Sequence, residues 1–380
     1  MQKERRSEGI KIVPQRLREA RVSCGKTIKE VSEIVGVSAQ VLSMYELGRC
    51  NPSAEVFYKL KNEYPLPIKY YTKPFQDTTN RSQTFFRSFS TATKSQREIA
   101  FIQSEWFTNI IMSSLEEKVK FPPVDGFFSK IKNSLVIEKK ESWNFDSLTK
   151  IIRREWGLGV GPIINLTREL EKKGVIVVKI NLDEAIDGFS YWHQNRPYIF
   201  VNKNNNPFRL RMSIAHELCH LFFHEAEDAE KNLRKLETEA KYFASAFLMP
   251  DSSFAKEIYS TSLEQLLFLK PKWMVSIAAM VMRCEQLNLI DEDRALYLQK
   301  QISRKHWRKV EPGDSDYAHE SPVLLQQAIQ LLIEKHIFSK NELLDTFPLN
   351  NEFIEEACSL PDGYLSQEDN IVFLNSDKKK

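Results

Sequence analysis

His216, Glu217 and His220 stand at the spacing HExxH within RLRMSIAHELCHLFFH, Arg209 to His224. On an α-helix, residues four apart lie one above the other, so the imidazoles of His216 and His220 can grip one cation from one side. Glu217 then points beside that ion. A divalent cation makes a bound water more acidic, and a carboxylate within reach takes its proton, which yields a nucleophile able to attack a peptide carbonyl. Met212, Ile214, Ala215, Leu218, Leu221 and Phe222 surround the three residues without Pro or Gly, as a buried helix requires. One such His alone reads as a core residue, but the three together read as a metal centre.

Two histidines leave a cation short of a third protein ligand. Downstream, Leu236 to Pro250 reads LETEAKYFASAFLMP, a second helix that Pro250 stops. At about 100° per residue, Ala240, Ala244, Phe247 and Leu248 share the face of Glu237, whereas Glu239 points to the other side. Glu237 is therefore the expected third ligand, with Glu239 in reserve and Glu230 behind it.

The pattern AHELCHLFFH, a variable acidic spacer and then ETEAKYFASAFLMP resembles the ImmA/IrrE family of metallopeptidases. The resemblance implies a minimal gluzincin-like fold in which two motif histidines and a later Glu bind one zinc ion and the motif Glu is the general base. Those roles carry over to His216, His220, Glu237 and Glu217 respectively. Manganese or iron suits the same donors. Cys219 departs from the Gly usual in the family and reads as a small core residue. His224, four residues beyond His220, reads as a helix-end residue supporting the ligands.

The 380 residues are enough for two or three domains with their own cores. The net charge of +3 is too small to argue for nucleic acid by itself. Five cysteines at 24, 50, 219, 284 and 358 show no CxxC spacing, which points to reduced thiols in a cytosol. No apolar run approaches a membrane span and the charged N-terminus is no signal peptide, so the expected protein is soluble and cytoplasmic, with no membrane partner.

The modest charge hides an asymmetry: residues 1–75 hold 14 Lys and Arg against 8 Asp and Glu. Within them Pro14 to Cys24, Thr27 to Val35 and Ser38 to Glu46 read as three helices, the last two capped by Thr27 and Ser38 and joined through Gly36. Leu17, Ile28, Val31, Ile34, Val37, Val41 and Leu42 supply a common core, and the spacing is that of a helix-turn-helix. TIKEVSEIVGVSAQVLSMYELGRCNPSAEVFYKL resembles the phage-repressor-like, xenobiotic-response-element type of DNA-binding domain, through its GVS turn, its YE and its GRCNPS loop before a fourth helix at Ala54 to Tyr64. The resemblance implies double-stranded DNA as partner, with the third helix in the major groove. Ala39, Gln40, Ser43 and Met44 would face bases and Arg49 a phosphate, and a homodimer on a pseudo-palindrome is the usual geometry. Ile28 stands where the family commonly has a phosphate-contacting Gln.

The fold expected is multidomain and mainly α. An all-α helix-turn-helix domain at 1–75 leads through a helical connector at 76–141 to an α+β metallopeptidase domain with a small sheet at 142–250. A helical bundle of helix-turn-helix-like segmentation follows at 251–310, then C-terminal helices and a tail at 311–380. In the connector, Ile99, Ile102, Trp106, Ile110 and Ile111 are spaced for one buried face, and the FRS segment before them resembles longer family members. Phe145 to Glu155 and Pro162 to Lys173 read as helices, and VIVVKI (175–180), GFSYW (188–192) and PYIFVN (197–202) as strands. Strand Tyr198 to Asn202 is a candidate edge for substrate backbone. Lys270, Lys272 and Arg283 are expected on the surface of the bundle.

Together these features describe a DNA-binding regulator that carries a zinc-dependent endopeptidase. Relatives of the resembled family cleave helix-turn-helix repressors or antitoxin-like proteins, often in mobile elements or stress circuits, and that makes such a protein the expected substrate. The competing readings are a transcription factor that senses a metal or ligand without hydrolysis, and an antitoxin-like binder with a structural metal. Glu217 weighs against both, because a closed structural zinc site has no need of a base beside it.

Overall fold

The computed structural model of the chain describes residues 11–73, 92–131, 143–224 and 229–366, the side chains of 229–231 excepted. The FRS segment at 86–88, the Glu230 side chain and the tail through Lys380 lie outside them. The described residues are mainly helical with one three-stranded sheet. They form two compact units, one from segments of 1–76, 109–118 and 325–380 and the other from 77–108 and 119–324.

In the first unit α1 (Pro14–Ser23), α2 (Ile28–Val35), α3 (Ala39–Glu46), α4 (Ala54–Glu63) and α5 (Ile68–Thr72) follow the chain signals closely. Thr27 accepts from the Glu30 amide in a full capping box, and Ser38 accepts from the Val41 amide. Gly36 turns between them at φ 79°, a left-handed conformation that suits glycine. Arg21 on α1 donates through Nε and Nη2 to both carboxylate oxygens of Glu46 on α3, at 2.6 and 2.8 Å, with both side chains buried. Of the expected core, Leu17, Val31 and Leu42 are buried and Ile28, Val37 and Val41 half-buried, but Ile34 is 54% exposed and Val35 is buried in its place. On a helix with Ile28 and Val31 inward, the stripe continues at Val35, and Ile34 falls outside it. Thr27→Ala is expected to cost about 1 kcal/mol, read as a lower midpoint in denaturant unfolding of this unit.

The second unit is built on β1 (Ile176–Ile180), β2 (Gly188–His193) and β3 (Arg196–Asn202), in the order β1-β3-β2. Strands β2 and β3 form an antiparallel hairpin through Gln194 and Asn195, both at positive φ, while β1 runs parallel to β3. The strand Tyr198 to Asn202 is therefore the centre of the sheet, paired on both sides, and is not an edge that can receive a peptide. The misplacement has a simple cause: the β1 crossover inserts β3 between its two predecessors, so chain order is not spatial order.

Alternation sorts the sheet into two faces. Val177, Ile199 and Val201 join the main core with the helices. Phe189, Tyr191, Tyr198 and Phe200 stack on the opposite face, covered by Phe107 at 6.2 Å from Tyr198 and 5.7 Å from Phe200. Phe107 follows α6 (Lys94–Trp106), whose continuation is a π-helical turn through Met112. Of the residues expected on one buried face of the connector, Ile102, Trp106, Ile110 and Ile111 are buried and Ile99 is half-buried.

On the helical side lie α7 (Phe145–Glu155) and α8 (Leu166–Lys172). Helix α8 starts later than Pro162 because Asn165 is extended and caps it, accepting from the Arg168 amide. The centre of the core is α9 (Pro207–Phe223) packed on α10 (Ala229–Leu248), which is kinked at Asn232. After these come α11 (Leu263–Trp273), α12 (Ile277–Gln286) and α13 (Glu292–Arg304). Two of the three cations expected on the bundle surface are buried instead. Lys270 is held by Asp314 at 2.5 Å and Glu311 at 3.1 Å, and Arg283 by Asp146 and the Met249 carbonyl; Lys272 is exposed. Their acidic partners lie far off in sequence, beyond the reach of local pattern. Three further helices, Leu324–Glu334, Lys340–Thr346 and Asn351–Ala357, complete the described chain. Among the described residues no single helix is long and apolar enough to cross a membrane.

Candidate metal centre

Helix α9 begins sharply. Asn206 accepts from the Arg209 amide at 2.8 Å, and Pro207 occupies the first turn, where its missing N–H costs nothing. Thirteen of the 17 residues of α9 are buried, which fixes its rotation and leaves only a narrow open face. His216 and His220 lie on that face, half-buried, with their Nε2 atoms 3.1 Å apart. Glu237 reaches over from α10, Oε2 standing 3.3 Å from His216 Nε2 and Oε1 3.6 Å from His220 Nε2.

These spacings fit one cation. Two donors bound at about 2.0–2.1 Å to a single tetrahedral zinc stand roughly 3.3 Å apart. Two imidazole nitrogens 3.1 Å apart, with one Glu237 oxygen 3.3 Å from the first and the other 3.6 Å from the second, enclose a point of that kind. Glu237 Oε1 is also buried without a hydrogen-bond donor, as an oxygen kept for a cation would be. His216, Glu217 and His220 form a cluster in which one donor atom from each lies within 4.8 Å of the others.

Glu217 is buried against β2 at the edge of a cavity. Ser190 donates to its Oε2 at 2.8 Å, within reach also of the Glu217 carbonyl at 3.1 Å. Burial pushes the Glu217 carboxyl up to about 7, against the opposing pull of His216 and of the Ser190 hydroxyl. For His216 burial acts downward, but the carboxylates of Glu237 and Glu217 outweigh it and the pKa is raised. Cys219 is wholly buried and its thiol is pushed far up by that burial, which suits a packing residue and not a ligand.

Of the other sequence candidates, Glu239 does not join the trio. Its Oε2 lies 3.3 Å from His224 Nε2, and His224 caps α9 with Nδ1 2.7 Å from His220 Nδ1. Sequence reasoning missed Ser190. Its signal was available: Gly188, Ser190 and Trp192 alternate onto the face of β2 toward α9, and a small polar residue there among aromatics calls for a buried partner. A cavity of about 270 Å³ opens beside the three donors, lined among others by Asp187, Gly188, Arg209, Met212 and Lys241. Arg209 donates to Asp187 at 2.8 Å across its mouth. At Gly188 a Cβ would stand 2.8 Å from the Phe200 carbonyl, so glycine is what lets β2 lie this close to the β3 backbone, while the 3.6 Å from that Cβ to Glu217 Cγ would be an ordinary contact.

In the first unit Ala39, Gln40 and Arg49 are exposed, and Ser43 and Met44 half-buried. Ala39 with Ser43, and Gln40 with Met44, stand four apart and form one stripe on the outside of α3.

Comparison with known families places two models on the chain. A peptidase family described as the IrrE N-terminal-like domain matches residues 170–285, and a helix-turn-helix family matches residues 17–71. No curated protein matches the chain. Among solved structures, a Mycobacterium tuberculosis transcriptional regulator is similar over 42% of this chain and 51% of its own length, at 18% identity and a TM-score of 0.28. The chain thus spans about half of that regulator. The first matched segment runs from within α1 to within α5, and the second takes in β1 to α11 and nearly all of α12, with His216, His220 and Glu237 inside it. The chain therefore carries an N-terminal helix-turn-helix domain and an ImmA/IrrE-type metallopeptidase domain.

Proposed function

We propose that the protein is a DNA-binding regulator whose second domain is a metal-dependent endopeptidase acting on a peptide bond of a regulatory protein, a helix-turn-helix repressor or antitoxin-like partner. The observation that carries the reading is the convergence of His216, His220 and Glu237 within 3.6 Å of one another beside the buried Glu217, with His216, Glu217 and Glu237 lining an open cavity. A divalent cation, zinc by the donor set, supplies Lewis acidity that activates water and polarises the scissile carbonyl.

The chain's own residues do the rest. Glu217 accepts the proton of the attacking water as its oxygen adds to the carbonyl carbon, and then delivers that proton to the amine nitrogen, so that the tetrahedral adduct collapses with the C–N bond broken and a carboxylate and an amine released. Ser190 engages Oε2, which leaves Oε1 as the oxygen that takes the proton. The cavity beside Gly188 and Met212 receives the peptide, and the outer strand β2, not β3, lies next to it. In the first domain, Ala39, Gln40, Ser43 and Met44 face base edges and Arg49 a phosphate, with two copies on a two-fold related site.

Metal analysis tests this reading. The purified protein should hold one divalent ion per chain, and His216→Ala, His220→Ala and Glu237→Gln should each lose it, while Glu217→Gln keeps it. Full metal occupancy in the Glu237→Gln variant would remove Glu237 from the ligand set. Ser190→Ala is expected to lower turnover roughly 10-fold or more with metal content unchanged, measured on any substrate that the wild type cuts. Arg49→Ala should weaken operator and nonspecific DNA binding alike and flatten the salt dependence by about one ion, read by fluorescence anisotropy at several salt concentrations.

A further inference from the structure

Three histidines follow one another at four-residue spacing, His216 and His220 on α9 and His224 at its C-cap, yet only His216 and His220 face Glu237. The third, His224, is 3% exposed at the side chain and lies behind His220. Its Nδ1 is 2.7 Å from His220 Nδ1, and its Nε2 is 3.3 Å from Glu239 Oε2. The other oxygen of Glu239 lies 3.8 Å from Lys235 Nζ.

We infer that Glu239 and His224 form a relay of hydrogen bonds that orients His220 and fixes which of its nitrogens carries the proton. The inference rests on the metal-centre reading above. The direction of the relay follows from its acidic end. A carboxylate is acceptor-only, so His224 places its proton on Nε2 and donates it to Glu239. In a neutral His224 the Nδ1 lone pair then accepts, and the matching state of His220 is the one with its proton on Nδ1. The lone pair of His220 is thereby on Nε2, the atom that faces His216 and Glu237. The reverse order sets the His224 Nε2 lone pair against a carboxylate oxygen and puts a proton on the very His220 nitrogen that must be bare. His224 and Glu239 are positioning residues: neither reaches the cluster, and both act through His220.

The relay also explains why two acids two residues apart on α10 have different duties. Glu237 reaches the cluster directly, whereas Glu239 reaches it through two imidazoles.

Two measurements on the full chain test the proposal. Long-range ¹H–¹⁵N correlation spectra of metal-free wild type, recorded at pH 8, should show His220 with its proton on Nδ1. Chelator competition with zinc should show His224→Phe binding roughly 10 to 100 times more weakly than wild type, Glu239→Gln weaker in the same direction, and the double variant no weaker than His224→Phe alone, because the two act in series. A His220 proton on Nε2, or unchanged zinc affinity in a folded His224→Phe, would overturn the relay. If that variant does not fold, the wild-type tautomer decides the matter. Failure of the metal reading looks different, since wild type itself would then take up no zinc.

Discussion

Glu217→Gln is expected to reduce peptide-bond hydrolysis by roughly 10²–10⁴-fold, the usual contribution of a positioned acid–base group, while the chain still binds its cation. The two effects separate because Glu217 is not one of the three converging donors. His216, His220 and Glu237 stand 3.1 to 3.6 Å apart, and the Glu217 carboxyl turns aside to Ser190. Gln is nearly isosteric and can still accept from the Ser190 hydroxyl, so burial of the neutral amide disturbs little. It cannot take a proton from water. Parallel measurement of turnover and metal content checks this: equal loss of both would mean that Glu217 holds the cation, and retention of both would remove it as the base.

A second large effect is expected far from the chemistry. Arg211 lies on the motif helix α9, 1% exposed, with its guanidinium bonded to Glu320 and donating at 2.7 Å to the Ile163 carbonyl. Burial alone lowers its pKa to about 10, still well above neutrality, so it remains charged. Glu320 also accepts from the Thr167 amide at 2.9 Å and the Thr167 hydroxyl at 3.0 Å, which locks α8 to α9. Glu320→Ala removes the carboxylate and leaves a buried cation without its counter-charge, an expected cost of about 3–5 kcal/mol. In a unit of this size that is a fall of roughly 10 °C in the melting temperature, measurable by calorimetry. Lys309→Ala serves as the control. Its pair with Glu184 is more than four-fifths exposed on both sides and should change stability by less than about 1 kcal/mol. Equal effects of the two substitutions would contradict the account of how α9 is held.

The residues that converge were legible where helical period alone decides geometry. Four-residue spacing put His216 and His220 on one face, and the Ala240, Ala244 face of α10 separated Glu237 from Glu239. The N-terminal caps at Thr27 and Ser38 were legible for the same reason, since a side-chain cap closes within three residues. What escaped required tertiary knowledge. Ser190 meets Glu217 across 27 positions, and Arg283 meets Asp146 across 137. No window of sequence contains either pair. The order β1-β3-β2 escaped because pairing depends on a crossover, and Ile34 because one apolar residue too many left the inward stripe of α2 ambiguous between Ile34 and Val35.

The most direct test of the central claim is co-expression of wild type and Glu217→Gln with candidate helix-turn-helix proteins encoded beside it, each candidate followed by intact mass and the metal content of both variants determined. One neighbour should be cut at a single bond by wild type and spared by Glu217→Gln, with both variants carrying metal. If both carry metal, no neighbour is cut under any inducing condition and operator binding follows metal loading, the protein is a metal-sensing transcription factor and the hydrolytic reading is contradicted.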